Sequence, residues 1–165
     1  MKKIQDLGVV VVAGGSGSRF GSGNKLLEKL AGIPVFIHPL KNFMEVCPPE
    51  NIVLVVRKPD AAKFADALRR YLPGAGTRIA HGGSIRMRSV ANGLRLLGPA
   101  VKYVAVHDAA RPLSTAVLLS SAYRAARRHG GAVVAKRVTD TVKHADKRCF
   151  VLRTLERNNI GRVET

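Results

Sequence analysis

Four consecutive valines, Val9 to Val12, stand between Gly8 and a loop that reads Ala13-Gly14-Gly15-Ser16-Gly17-Ser18. A strand with one wet face alternates apolar and polar residues, so an unbroken β-branched run marks a strand buried on both faces, as in a parallel sheet covered on both sides. Ile52 to Val56, Tyr103 to Val106 and Ala132 to Ala135 repeat the signature, which predicts four short buried strands. Segments of helical period lie between them. Phe36, Ile37, Leu40, Phe43 and Met44 share one face, as do Ala61, Phe64, Ala65 and Leu68, and then Met87, Val90, Leu94 and Leu97. Pro39, inside the first, is expected to kink that helix or delay its start. Strands alternating with amphipathic helices give right-handed βαβ units and hence a doubly wound α/β fold with a mostly parallel sheet. After Lys136 the pattern changes to short β-prone pieces, Thr141 to Lys143 and Phe150 to Thr154, around a polar turn at Ala145 to Arg148. This predicts a hairpin-like arm standing off the sheet.

Composition narrows the function classes. A chain of 165 residues, 46% hydrophobic and 24% charged, reads as one domain over 1–165 with a core of its own, and disordered, collagen-like and coiled-coil readings fail. Cys47 and Cys149 form no C-x-x-C pair and have no His-rich neighbourhood, so neither zinc nor a disulfide framework is expected, and a reducing, cytoplasmic setting fits. The apolar run Val9 to Ala13 is too short for a membrane span or an export signal. The charge is unusual: 28 Lys and Arg against 11 Asp and Glu leave +17, most of it after residue 60. Such a field draws polyanions, whether nucleic acid, membrane surface or phosphorylated small molecules. With 5% aromatics, no Trp and no recognition-helix signature, specific nucleic-acid binding is disfavoured, and a basic nucleic-acid-binding domain stands as the alternative from a different class.

Three motifs carry chemistry. The loop from Val12 to Lys25 leaves the first strand at its carboxyl end, where open α/β sheets bind ligands. Its glycines let the backbone approach a phosphate chain, and Arg19 and Lys25 add two cations. It matches neither the dinucleotide fingerprint nor the Gly-Lys-Ser/Thr loop, and the competing reading is a surface loop with two solvated charges. His107-Asp108-Ala109-Ala110-Arg111-Pro112 ends the Tyr103 strand on the same edge. Asp108 suits a metal-bound phosphate or a sugar hydroxyl and Arg111 a phosphate, unless Asp108 merely caps the turn with Arg111 as its partner. His107 reads as structural. Gly82-Gly83-Ser84-Ile85-Arg86-Met87-Arg88-Ser89 is a glycine turn entering a helix, able to offer N–H groups and the Ser89 hydroxyl to a base or phosphate, with Ser84 equally suited to cap the helix. Arg69, Arg70, Arg124, Arg127 and Arg128 read as solvated charge on helix faces.

Taken together, Ala-Gly-Gly-x-Gly-x-Arg, Asn-Lys-Leu, Gly-Gly-x-x-Arg-x-x-Ser-Val-x-x-Gly-Leu, His-Asp-Ala-Ala-Arg-Pro, Val-Thr-Asp-Thr-Val-Lys and Glu-Arg-Asn make a chain that resembles the 2-C-methyl-D-erythritol 4-phosphate cytidylyltransferases of the non-mevalonate isoprenoid pathway, from about Val9 to Thr165. The resemblance implies a Rossmann-like nucleotidyltransferase. It implies CTP held by Val12, Ala13, Gly14 and Gly15, by Gly83, Ser84 and Ser89 around the cytosine, and by Ala109. Arg19 and Lys25 match the catalytic pair, and Asp108, Arg111, Thr141 and Arg157 match positions that hold the methylerythritol phosphate. Arg157 counts among the catalytic residues too. Thr141 and Arg157 would come from a dimerisation arm at 136–157 that reaches across a homodimer. Mg²⁺ would be held mainly through the CTP phosphates, and the partners would be CTP and a polyol phosphate, with no specific nucleic acid and no membrane. Ribitol-5-phosphate cytidylyltransferases share these motifs and form the nearest alternative. The sequence departs from the family at Asn24, where Pro commonly precedes the catalytic lysine, and at Gly161, where an aromatic is usual; it stops at Thr165, short of the family's C-terminal portion.

Overall fold

A computed structural model describes residues 2–15 and 24–163 and divides the chain into two compact units, Met1–Gly131 and Ala132–Thr165. In the first, strand β1 (Leu7–Ala13) precedes a small ladder of β2 (Lys29–Leu30) and β3 (Ile33–Pro34), whose turn places Ala31 and Gly32 at positive φ. Helix α1 (Ile37–Met44), strand β4 (Ile52–Val56), helix α2 (Ala61–Tyr71), strand β5 (Arg78–His81), helix α3 (Arg86–Leu94), strand β6 (Tyr103–Asp108) and helix α4 (Ala116–His129) follow. The sheet runs β5-β4-β1-β6, parallel at every pairing.

The valine run explains this arrangement. Its alternate side chains enter two separate cores: Val9 and Val11 join Phe36, Ile37, Leu40, Phe43, Ile52, Leu54 and Phe64 on one face, while Val10 meets Val53, Val55 and Ala80 on the other. Phe36 and Phe64 meet edge-to-face at 4.7 Å between centroids, and each fully buried side chain of this size contributes about 1.5–3 kcal/mol. Helix α3 covers the smaller core and approaches so closely that a Cβ on Gly93 would lie 2.6 Å from Val10 Cγ1 and 2.9 Å from Val55 Cγ2. Helix α4 starts on a Thr115 cap, whose hydroxyl accepts the Leu118 N–H at 3.2 Å, and ends at Gly130 with φ 84°. Arg127, Arg128 and His129 fill its last turn, where the helix dipole favours cations.

Four expectations need correction. Tyr103 to Val106 does form a strand, but at the sheet edge with Val104 exposed rather than buried on both faces. Helix α3 buries Ser89 and Gly93, small residues that let it approach the sheet, while Met87 and Leu94 of the expected face are exposed. The fourth strand of the sheet is not Ala132 to Ala135 but Arg78–His81, an edge strand in which Ala80 alone is buried, so its sequence lacks the continuous apolar run. Of the predicted segment only Ala135 is in a strand, and Val133 is exposed. Pro39 neither kinks α1 nor delays it. It is the third residue of the helix, where no intrahelical partner exists for the missing N–H.

The second unit contains two antiparallel ladders. Strand β7 (Ala135–Arg137) pairs with β10 (Gly161–Val163), and β8 (Lys143–Ala145) pairs with β9 (Val151–Thr154) in a hairpin with an irregularity at His144/Ala145. The hairpin expected around residues 145–148 is therefore present, its first strand two residues later than the sequence suggested. Asp146 builds the turn: its Oδ1 accepts the N–H groups of Arg148 at 2.8 Å and Phe150 at 2.9 Å.

Candidate functional site

In a parallel sheet every carboxyl end lies on one edge, and a crevice opens where strand order reverses. Here β4 lies on one side of β1 and β6 on the other, so that point is beside β1. Val12 is half-buried, Ala13 buried, and Gly14 and Gly15 carry the chain off the strand at this edge. The buried Ala109 donates its N–H to the Val12 carbonyl at 3.0 Å, which fastens the loop after β6 to the end of β1.

Ser89 organises the glycine loops. Its Oγ accepts the Gly83 N–H at 3.0 Å and donates to the Ile85 carbonyl at 3.2 Å, and the residue is buried. A Cβ on Gly82 would lie 3.2 Å from that hydroxyl and one on Gly14 3.7 Å from it, while a Cβ on Gly83 would strike Arg88 Cβ at 2.5 Å. The sequence therefore needs glycine at 82 and 83 to bring this backbone against α3. The hydroxyl expected to face the nucleotide is already engaged twice, with one lone pair left. Ser84 does not cap α3. Ile85 occupies the N-cap position without a side-chain bond, and Ser84 stands exposed one residue earlier.

At the end of β6 the Asp108 carboxylate pairs with Arg86 Nη2 at 2.9 Å. Arg86 is the first residue of α3 and stood in the Gly-Gly-x-x-Arg motif, yet sequence reasoning gave it no role. Its cation lowers the cost of bringing a phosphate to a strand end that carries a carboxylate. The Arg111 N–H bonds to the Asp108 carbonyl at 3.1 Å, so the loop folds back at once and carries Arg111 beside the same strand end. His107 is buried, as its structural reading requires, with Nε2 2.7 Å from Ser114 Oγ and its ring edge-on to Phe43 at 4.8 Å. Asn42 Nδ2 also donates to the Ser114 carbonyl, at 2.8 Å, so two bonds hold the far end of this loop. Burial pushes the imidazole down to about 4, with Arg111 acting in the same direction and Asp108 against it.

Lys25 sits in a turn after Asn24, whose Oδ1 accepts the Leu26 N–H at 3.1 Å. Arg19 lies outside the described residues. Thr141 and Arg157 belong to the second unit, where Arg157 opens a short 3-10 turn (Arg157–Asn159) and donates from Nη1 to the Thr139 carbonyl at 2.7 Å. Among the described residues no group of three or more His, Cys, Asp or Glu side chains is placed to hold a metal ion, and none of the helices is long and apolar enough to cross a membrane.

The structure thus brings Gly14, Gly83, Ser89, Ala109, Asp108 and Arg111 to one edge of the sheet, and comparison with known proteins gives that edge a context. Residues 7–165 match the family model described as IspD: 2-C-methyl-D-erythritol 4-phosphate cytidylyltransferase. The chain is 39% identical over 163 residues to a bifunctional enzyme IspD/IspF of Rhizobium leguminosarum bv. trifolii, covering 96% of this chain and 40% of that protein. It is 34% identical over 161 residues to a 2-C-methyl-D-erythritol 4-phosphate cytidylyltransferase of Dehalococcoides mccartyi, covering 98% of this chain and 70% of the relative. The crystal structure of a 4-diphosphocytidyl-2C-methyl-D-erythritol synthase from Anaerococcus prevotii superposes with a TM-score of 0.82 at 27% identity, over 98% of this chain and 69% of that one. The chain therefore spans less than half the length of the bifunctional relative and about 70% of the monofunctional one. With its motifs, sheet order and strand-end loops in agreement with that match, the chain belongs to the 2-C-methyl-D-erythritol 4-phosphate cytidylyltransferase family.

Proposed function

We propose that this chain transfers a cytidylyl group from CTP to 2-C-methyl-D-erythritol 4-phosphate. An oxygen of the sugar phosphate attacks the α-phosphorus of CTP in line, the bond from that phosphorus to the bridging oxygen breaks, and pyrophosphate leaves. The carrying observation is the pairing, on one sheet edge, of glycine loops packed around Ser89 with the Asp108, Arg86 and Arg111 group, in a chain of this family. The attacking phosphate is already ionised and needs no general base, so the barrier is mutual repulsion. Lys25 and Arg19 are assigned to the charge that builds on the α-phosphoryl oxygens. Asp108, neutralised by Arg86, accepts hydroxyl donors of the sugar, and Arg111 takes its phosphate.

Magnesium held on the CTP phosphates would supply further positive charge. The second unit is assigned to the sugar phosphate of a partner subunit in a homodimer. Arg157 is suited to this, because Thr139 fixes one guanidinium nitrogen and leaves the remaining N–H groups for an anion. Two unpaired cysteines, Cys47 buried and Cys149 exposed, support a reducing, cytoplasmic setting. The test is pyrophosphate release from CTP and Mg²⁺ with each polyol phosphate in turn. Turnover with methylerythritol phosphate supports the assignment, preference for ribitol 5-phosphate moves it to the neighbouring activity, and no release with either refutes it.

A further inference from the structure

Lys25 is placed by side chains other than its own. Asn24 opens its turn: Oδ1 accepts the Leu26 N–H at 3.1 Å and the Asn24 carbonyl accepts the Leu27 N–H at 2.8 Å. Leu26 is buried in the main core, and its carbonyl accepts the Phe36 N–H at 3.3 Å. Lys25 is therefore strung between an Asx turn and a core anchor. The anchor of Asn24 itself lies 36 residues along the chain, where Nδ2 donates to Asp60 Oδ2 at 3.4 Å. The same oxygen receives Arg57 Nε at 2.7 Å and Nη2 at 2.6 Å. The Asp60 side chain is only 13% exposed, so its charge needs the Arg57 partner. Arg57 and Asp60 are set in turn by the short 3-10 turn Lys58–Asp60 that leaves β4, closed by the Asp60 N–H on the Arg57 carbonyl at 3.0 Å and stiffened by Pro59.

We propose that Asn24, Asp60 and Arg57 form a positioning clamp that ties the Lys25 turn to the carboxyl end of β4 and so fixes where the Lys25 ammonium acts. The proposal rests on the cytidylyltransferase reading for the importance of Lys25, and on the bonds above for the clamp. A charge that stabilises a transition state acts only where the developing charge is, and a displacement of about 1 Å can cost up to roughly a hundredfold. The flexible lysine stem recovers part of that, so about a tenfold loss is expected when the clamp opens.

Kinetics and amide exchange test the clamp. Asn24→Ala should lower kcat about tenfold while moving the KM for CTP less than about threefold. In a Lys25→Ala background the same substitution should do nothing further, because the group being positioned is gone; an equal loss in both backgrounds overturns the proposal. Asn24→Asp places two carboxylates together and should be at least as damaging. Full activity in that variant argues against the clamp. Hydrogen exchange reads the clamp without activity. Asp60→Ala, which does not touch Leu26 and removes the acceptor, should speed exchange at the Leu26 N–H about tenfold by loosening Asn24. Faster exchange in a protein that releases no pyrophosphate keeps the clamp and removes the functional reading. Turnover with unchanged Leu26 exchange does the reverse.

Discussion

His107 should make the stability of this protein fall as the pH drops, and the structure gives the size of the effect. Its Nε2 lies 2.7 Å from Ser114 Oγ, while Nδ1 is buried with no hydrogen-bond partner among the described residues. A proton on Nδ1 would be a buried, orphaned donor, which costs more than a bare acceptor, so the neutral ring carries its hydrogen on Nε2 and donates it to Ser114. Protonation would create that orphan and a buried charge together. The imidazole titrates near 6.5 when unfolded and at about 4 in the fold, lowered first by burial. With the folded value below the unfolded one, the contribution is complete above about pH 6.5 and is lost as the pH falls toward about 4. The full span is worth ~3 kcal/mol, of which ~2 kcal/mol is gone by about pH 5. Urea unfolding at about pH 7.5 and about pH 5 should be compared between the native chain and His107→Gln, whose amide N–H can still reach Ser114 but does not titrate. Carboxylates common to both proteins cancel in the comparison. The variant starts less stable, having lost the Phe43 contact, yet should lose ~2 kcal/mol less on acidification. Parallel losses in the two proteins would show that His107 is not held neutral by its surroundings.

Other consequences are more direct. Lys25→Ala should lower turnover on the order of a hundredfold at saturating substrates, since the charge serves mainly the transition state, whereas Arg157→Ala should also raise the KM for the sugar phosphate and leave CTP binding nearly unchanged. Mixing the two inactive proteins should restore some activity if the second unit serves a partner's site; no rescue, with subunit exchange shown independently, would place Arg157 in its own subunit's site or outside catalysis. Gly93→Ala should destabilise the fold by about 1–2 kcal/mol, because overpacking against Val10 and Val55 outweighs the gain in helix propensity, and an unchanged urea midpoint would contradict that packing. Chelation of divalent metal should stop pyrophosphate release and Mg²⁺ should restore it, while the melting temperature without CTP stays unchanged; a fall in that temperature would point to a resident ion.

What could be read from the sequence divides along a physical line. Strands β1 and β4 are legible because burial on both faces writes an unbroken run of β-branched residues, and helices α1 and α2 because one buried face imposes a period, whereas the apolar period of α3 includes the exposed Met87 and Leu94 while the helix buries the small Ser89 and Gly93. Strand β5 is not, since an edge strand buries one side chain and Arg78-Ile79-Ala80-His81 carries no pattern strong enough to stand out. Ala132 to Ala135 misled for the converse reason: an apolar run that nothing buries looks the same in one dimension as a run that fills a core. The site shows the same division. Motifs place Asp108 at a strand end, Lys25 in a loop and Ser89 in the first turn of a helix because local glycine and turn chemistry mark those places. The partners of these residues are set by the fold and leave no local mark. Arg86 lies 22 residues before Asp108 and meets it because α3 begins beside the end of β6; Asp60 lies 36 residues after Asn24 and meets it because β4 ends beside the Lys25 turn. A positive chain needs such pairings to give its charge a direction. With a net +17, an anion is attracted to the whole surface, and only cations fixed against named carboxylates and carbonyls can distinguish one phosphate from another.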